Sequence, residues 1–311
     1  MALKINGLDV ATGRFEDTEV YTTTDVINRT AGHPGIIYEM TYQDGEDFTH
    51  LGNIKIAMDE FERQNGLVNR RSDIVLHKVP YDASDKAFHN RALTLEYVVK
   101  MLGVMHGFGT CELSKIIAIE PHSEEFANLC QKYGIENLKE IYLTLEWIRQ
   151  DIQSGFIGPE TNIIIPDKGM YEKYKGLNLQ NDASIIRLDK SRNASGGLDL
   201  HQIAEGEVIP GAPIYFFDDK IRSGGTNDSA IRQVQKLGGG PVLRMAAPHI
   251  LPKFLESSLL CGYDIPKHRD FQVITTSSQL NIAETTTRCP GIFEFRDYQV
   301  DYSEYTGCEP T

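Results

Sequence analysis

Between residues 214 and 226 the chain reads IYFFDDKIRSGGT, and this stretch narrows the available folds more than any other. Ile214, Tyr215, Phe216 and Phe217 follow one another without polar alternation, so a strand here is buried on both faces, as in a helix-covered parallel sheet. The run stops at two adjacent carboxylates, Asp218 and Asp219. Ser223, Gly224, Gly225 and Thr226 then form a small-residue turn, and a helix-like segment occupies residues 227–237. In open α/β sheets, ligands bind where the strands end. Glycines let successive N–H groups converge on an anion, and a helix N-terminus adds positive partial charge. Such a turn can hold a phosphate while the paired carboxylates accept hydrogen bonds from vicinal hydroxyls. A phosphorylated ribose offers both groups. Taken alone, Asp-Asp also reads as a pair of acids that solvate a strand end.

The rest of the chain repeats the alternation of strands and helices that defines α/β proteins. Residues 35–42, 74–81 and 115–120 read as strands in the first part. Helical spacing is expected over 85–102 with Gly103 as a stop, over 124–133 and over 138–152. The pattern then restarts, with strands at 162–166, 183–188, 240–247 and 271–276 and a helix near 251–261. Two tandem α/β domains follow, 1–136 and 137–311, with mainly parallel sheets. Residues 193–197 (NASGG) read as a mobile loop.

Composition bounds the partners. With 311 residues there is enough chain for two cores. A net charge of −13 argues against a nucleic-acid or anionic-membrane partner. Five cysteines without a C-x-x-C pair point away from disulfides and zinc. The opening MALKINGLDV is not a basic-then-apolar signal, so a cytoplasmic location is expected.

Four strand ends carry polar chemistry: His122 after KIIAIEP, Asp167 after NIIIP, Lys190 and Arg192 after IIRL, and Asp218 with Asp219. In one parallel sheet these ends would share an edge and converge on a cleft. The set suits metal-assisted phosphoryl or diphosphoryl transfer, in which Mg²⁺ uses few protein ligands and basic side chains meet the charge on the migrating group. Singly, each has an ordinary structural reading: a core histidine, a helix-capping aspartate, a solvated Lys-x-Arg pair.

Together these motifs resemble the ribose-phosphate pyrophosphokinases, the phosphoribosyl diphosphate synthetases, over most of the chain. The resemblance implies two Rossmann-like domains of phosphoribosyltransferase type. It further implies that Asp218, Asp219, Ser223, Gly224, Gly225 and Thr226 form the ribose-phosphate loop. His122 falls on the family's Mg²⁺/ATP histidine, and Pro166-Asp167-x-Gly169 on its metal- and ribose-contacting motif. Lys190 and Arg192 match the catalytic Lys-x-Arg of its flexible loop. Phe15, Asp17 and Glu19 resemble an adenine-contacting element supplied by a neighbouring subunit, and PYDASDK (80–86) resembles an ATP-site element that brings in Asp85 and Arg91.

The chain departs from the family's pattern at several points. Ala83-Ser84 replace an Arg-Gln pair at the ATP site, Met170 replaces a glycine, and Arg222 stands where an acid is usual. The family's first strand and helix have no counterpart. What the resemblance implies is an enzyme that moves the diphosphoryl group of ATP to ribose 5-phosphate with Mg²⁺, acting as a homodimer or homohexamer. Arg222 raises a second acceptor, ADP-ribose, whose diphosphate could meet a guanidinium beside the cradle; that reaction would serve NAD synthesis. A phosphoribosyltransferase, or a non-catalytic regulatory subunit of a synthetase, are the readings of other classes.

Overall fold

The computed structural model describes residues 2–14, 20–22, 25–41, 45–67, 70–80, 94–107, 113–166, 168–174, 183–192, 198–257, 260 and 267–302. They fall into two compact units, Met1–Tyr142 with Tyr298–Thr311, and Leu143–Asp297.

The first unit runs β1 (Ala2–Ile5), β2 (Leu8–Asp9), β3 (Thr12–Arg14), β4 (Val20–Thr22), α1 (Asp25–Thr30), β5 (Gly35–Thr41), α2 (Gly45–Gln64), β6 (Arg71–Leu76), α3 (Thr94–Gly107), β7 (Leu113–Ile119), α4 (Glu125–Lys132) and β8 (Leu138–Ile141). Its main sheet has the order β2-β1-β5-β6-β7-β8. Strands β5 to β8 are parallel, while β1 lies antiparallel to β5 and β2 to β1. Each crossover steps in the same direction, so right-handed connections put α2, α3 and α4 on one face. The core lies there: Ile36, Tyr38 and Met40 of β5 and Ile74 and Leu76 of β6 share a buried cluster with Leu51, Ile54 and Met58 of α2 and Val98, Val99 and Leu102 of α3.

The second unit runs α5 (Leu143–Gln153), β9 (Asn162–Ile165), α6 (Lys168–Tyr174), β10 (Ser184–Arg192), β11 (Leu198–Glu205), β12 (Ile214–Phe217), β13 (Lys220–Ile221), α7 (Gly225–Lys236), β14 (Val242–Ala246), β15 (His249–Ile250), a 3₁₀ turn (Pro252–Glu256), β16 (Lys267–Thr275), a helix (Ile282–Arg288) and β17 (Phe293–Phe295). Its sheet has the order β11-β10-β9-β12-β14-β16-β17. All neighbours are parallel except the β10–β11 hairpin. The chain steps from β9 outward to β10 on one side and from β12 outward to β14 on the other. The switch point of this sheet therefore lies between β9 and β12, the place where such sheets form a ligand crevice. Ile214 and Phe216 pack with Ala230, Ile231 and Val234 of α7. On the other face Tyr215 stacks with Phe217, and Arg244 lies 3.6 Å over the Phe156 ring while bonding Asp151 and Gln272 at 2.6 Å each.

The mixed α/β class with mainly parallel sheets is as expected, and several elements differ. The segment 138–152 is not one helix: β8 pairs with β7 before α5 begins. That pairing keeps Leu138–Ile141 in the first unit, so the division falls at 142/143, later than the expected 136/137. The tail from Tyr298 also returns to the first unit. Gly103 does not end a helix, since α3 continues to Gly107. Near 251–261 the described residues hold a 3₁₀ turn, Pro252–Glu256, and a helical Leu260. Among these residues, no helix is long and apolar enough to cross a membrane.

Candidate functional site

The site begins where β12 ends. Its four side chains are fully buried, because β9 and β14 flank the strand and helices cover both faces. Asp218 N–H still donates to Ala246 O at 3.0 Å, continuing the ladder for one more residue. The Asp218 side chain is buried, and its Oδ1 accepts from Asp219 N–H at 3.0 Å, which fixes the carboxylate over the turn. Asp219 is half-buried. The chain then makes the short parallel pair β13–β15. Arg222 and Ser223 are exposed at the rim.

Gly224 caps α7 at φ +81°, in the left-handed region, and its carbonyl accepts from Asp228 N–H at 2.8 Å. An added Cβ there would lie 3.0 Å from the Phe254 ring and 3.2 Å from Ser257 Cβ. Glycine is thus required twice, by conformation and by space. The first amides of α7 have no intrahelical acceptor, so they face the rim with the positive end of the helix dipole behind them.

Backbone register brings a second element to the same edge. Arg187 of β10 pairs with Ile165, the last residue of β9. Residues 188–192 run past that end, paired only with β11, with Lys190 opposite His201 and Arg192 opposite Leu198. The ribbon is anchored at its base by Arg187, which is buried and bonds both Asp189 and Glu205, the latter at 3.1 Å. Because β10, β9 and β12 are parallel, the ribbon and the Asp218–Thr226 loop leave one edge of one sheet, on either side of β9.

His122 stands apart from this arrangement. It follows β7, a strand of the first unit's sheet, so the expectation that all four strand ends share one sheet edge is corrected for His122. The histidine is exposed behind Glu120, which is buried and holds φ +47°. A non-glycine residue in that region costs of order 1–3 kcal/mol and marks a constrained position. Phe15, Asp17, Glu19, Asp85, Arg91 and Asp167, and the 193–197 stretch, lie outside the described residues. No three His, Cys, Asp or Glu side chains converge to form a metal cage among the described residues.

One feature of the site escaped the sequence reading. His249 follows β14 in AAPH as His122 follows β7 in IEPH; this second Pro-His after a buried strand was the available signal.

The switch point between β9 and β12, a strand ending in Asp-Asp and a glycine-capped helix make up the candidate site. Over both units the fold is similar to the crystal structure of phosphoribosylpyrophosphate synthetase from Mycobacterium smegmatis, with a TM-score of 0.61, 15% identity, and coverage of 89% of this chain and 82% of that one. Adenine phosphoribosyltransferase from Saccharomyces cerevisiae, crystallised with an imino-sugar bisphosphate and adenine, matches 40% of this chain and 76% of its own at 18% identity, with a TM-score of only 0.30. No family model matches the sequence, and no curated protein matches it.

Proposed function

We propose that the protein transfers the diphosphoryl group of ATP to the anomeric hydroxyl of a 5-phosphorylated ribose, with ribose 5-phosphate as acceptor and phosphoribosyl diphosphate and AMP as products. The observation that carries this reading is the shared sheet edge: the Asp218–Thr226 loop suits a sugar phosphate, and the β10–β11 ribbon bearing Lys190 and Arg192 rises beside it. Ser223 to Thr226 would hold the 5-phosphate, and Asp218 and Asp219 would accept hydrogen bonds from the ribose hydroxyls. The anomeric oxygen attacks the β-phosphorus in line; the bond from that phosphorus to the α,β-bridging oxygen breaks, AMP leaves with the electron pair, and the hydroxyl proton is released. Lys190 and Arg192 would neutralise charge that builds on the migrating group.

Mg²⁺ suits such a site because it needs one or two protein ligands and completes its shell with water and phosphate oxygens. His122 would support the Mg²⁺ that accompanies ATP, and Asp167 would serve a second Mg²⁺ or the ribose; the metal's contribution would be to screen the triphosphate. Phe15, Asp17, Glu19, Asp85 and Arg91 would contact ATP, the first three from a neighbouring subunit, which makes a homodimer or homohexamer the working form.

The decisive test is Lys190→Ala. Loss of one such contact lowers turnover by a factor on the order of 10²–10³, so AMP release should collapse while unfolding and nucleotide affinity stay near wild type. Near-normal turnover would remove Lys190 from the mechanism.

One observation favours a second acceptor. Arg222 is exposed at the rim beside Ser223, which leaves its guanidinium available to the diphosphate of ADP-ribose. Incubation with ATP, Mg²⁺ and each acceptor, with products resolved by mass, separates the two. Arg222→Ala should weaken ADP-ribose much more than ribose 5-phosphate if ADP-ribose is the acceptor.

A further inference from the structure

The loop that ends at Gly224 rests on one neighbouring segment, residues 249–257. His249 N–H donates to Asp219 O at 3.3 Å, and Leu251 N–H to Ile221 O at 2.8 Å. These bonds pair β13 with β15 immediately after the two carboxylates. Further along, Phe254 and Ser257 fill the space that a Cβ on Gly224 would occupy. The segment touches the loop at its start, middle and cap.

His249 itself is 1% exposed, so its ring meets protein rather than solvent. Its Nδ1 lies 3.3 Å from Ser278 Oγ. Ser278 belongs to a buried hydroxyl group beyond the end of β16: Thr276 Oγ1 donates to Pro248 O at 2.6 Å, lies 2.7 Å from Ser278 Oγ, and accepts from Ser278 N–H at 3.3 Å. Thr276 has a single proton, and its shortest contact is the Pro248 carbonyl. The Ser278 hydroxyl then donates to Thr276 Oγ1 and its oxygen accepts from His249 Nδ1–H, while Thr276 also takes the Ser278 amide. The ends of β14 and β16 are thereby tied together through His249, whose main chain holds the residue after Asp218.

We propose that His249 is a positioning residue for the sugar-phosphate loop: its ring, tied to Ser278, sets the β13–β15 pairing and so the place of Asp219 and the Gly224 cap, without touching ligand. The consequence for ligand rests on the reading of residues 218–226 as a sugar-phosphate site. A ring at this depth has few rotamers open to it, so the pairing strand would be held in one register as the loop fills.

The test joins hydrogen exchange with calorimetry on the full chain. In His249→Ala the amides of residues 249 and 251 should exchange about ten-fold faster, the loss expected for one buried hydrogen bond. The Asp218 amide, held by β14, should not change. His249→Asn keeps a polar atom near the Nδ1 position and should restore protection. Ser278→Ala removes the ring's partner and should reproduce the His249→Ala pattern, and the double variant should add little to either one. Ribose 5-phosphate should bind about ten-fold more weakly to His249→Ala, again the scale of one buried hydrogen bond, with ATP affinity unchanged. Unaltered exchange at 249 and 251, or acceleration spread evenly over the second unit, would overturn the proposal. So would faster exchange with undiminished ribose 5-phosphate affinity. If the wild type binds neither ribose 5-phosphate nor ADP-ribose, the proposed function falls, and the exchange comparison still decides whether His249 holds the loop.

Discussion

At position 224 a side chain has no room and only a costly, left-handed conformation. Gly224→Ala must adopt a left-handed φ, which costs about 1–2 kcal/mol, and must also displace the Phe254 ring from 3.0 Å. The second unit should lose at least that much stability in denaturant unfolding, and sugar-phosphate affinity should fall with it. Gly225 has no atom within 4 Å of a built Cβ and no positive φ, so Gly225→Ala should leave stability nearly unchanged. Glu39 offers a different residue-scale test. Burial alone would raise its carboxyl, but hydrogen bonds from His77 and Tyr302 outweigh burial and hold it below the ordinary 4.5. A lowered folded value stabilises above the unfolded value and ceases to do so as pH falls through the folded one. First-unit stability should therefore drop as pH falls below about 4.5. Glu39→Gln should be less stable at pH 7 and show a shallower acid slope in urea titrations. The strand end, turn and helix start at residues 218–226 were legible in the sequence because they are contiguous in the chain. His249 was not, since it acts through main chain and a hydroxyl from another strand.

Elements were legible where burial makes an unbroken apolar run, as at residues 116–119 of β7, 163–165 of β9 and 214–217 of β12. They were missed where burial is one-sided. Helix α2 is the longest among the described residues, yet its apolar residues are diluted by charges, and it is recognised only by what it covers. The strand β8 reads LKEI, and its residues are at most half-buried; pairing with β7, rather than composition, makes it a strand. Gly103 shows why a glycine in an apolar run is a weak stop. Its place in α3 leaves a built Cβ 3.8 Å from Tyr133 O and 4.0 Å from Tyr133 Cβ, ordinary contact distances. Gly103→Ala should then stabilise the first unit by roughly 0.5–1 kcal/mol, through the smaller freedom of the unfolded chain and the better helix propensity of alanine. A raised midpoint in thermal unfolding would bear this out; a lowered one would mean that α3 cannot accept a methyl group at this contact with Tyr133.

At the scale of the molecule, two α/β units were legible from the restart of the strand–helix pattern, but the path of the tail was not. Residues after Arg296 are rich in Asp, Tyr and Glu and carry no periodicity. The tail nonetheless belongs to the first unit. Tyr302 donates its hydroxyl to Glu39, a buried acid in the central part of that unit's sheet, and its ring lies 3.3 Å from the Cβ position of Gly7. Cutting the chain after Asp297 would leave the Glu39 carboxylate with His77 but without Tyr302. A buried charged acceptor that loses one donor costs on the order of 1–3 kcal/mol. Each unit has its own core, so the loss should be confined: hydrogen exchange in β5 and β6 should accelerate while β12 and β14 keep their protection. Tyr302→Phe isolates the hydroxyl from the ring and should give part of the same effect in the same strands. Equal acceleration in both units would instead mean that the tail supports the protein as a single cooperative body. No acceleration in either would mean that the Tyr302–Glu39 bond adds nothing to the stability of the first sheet.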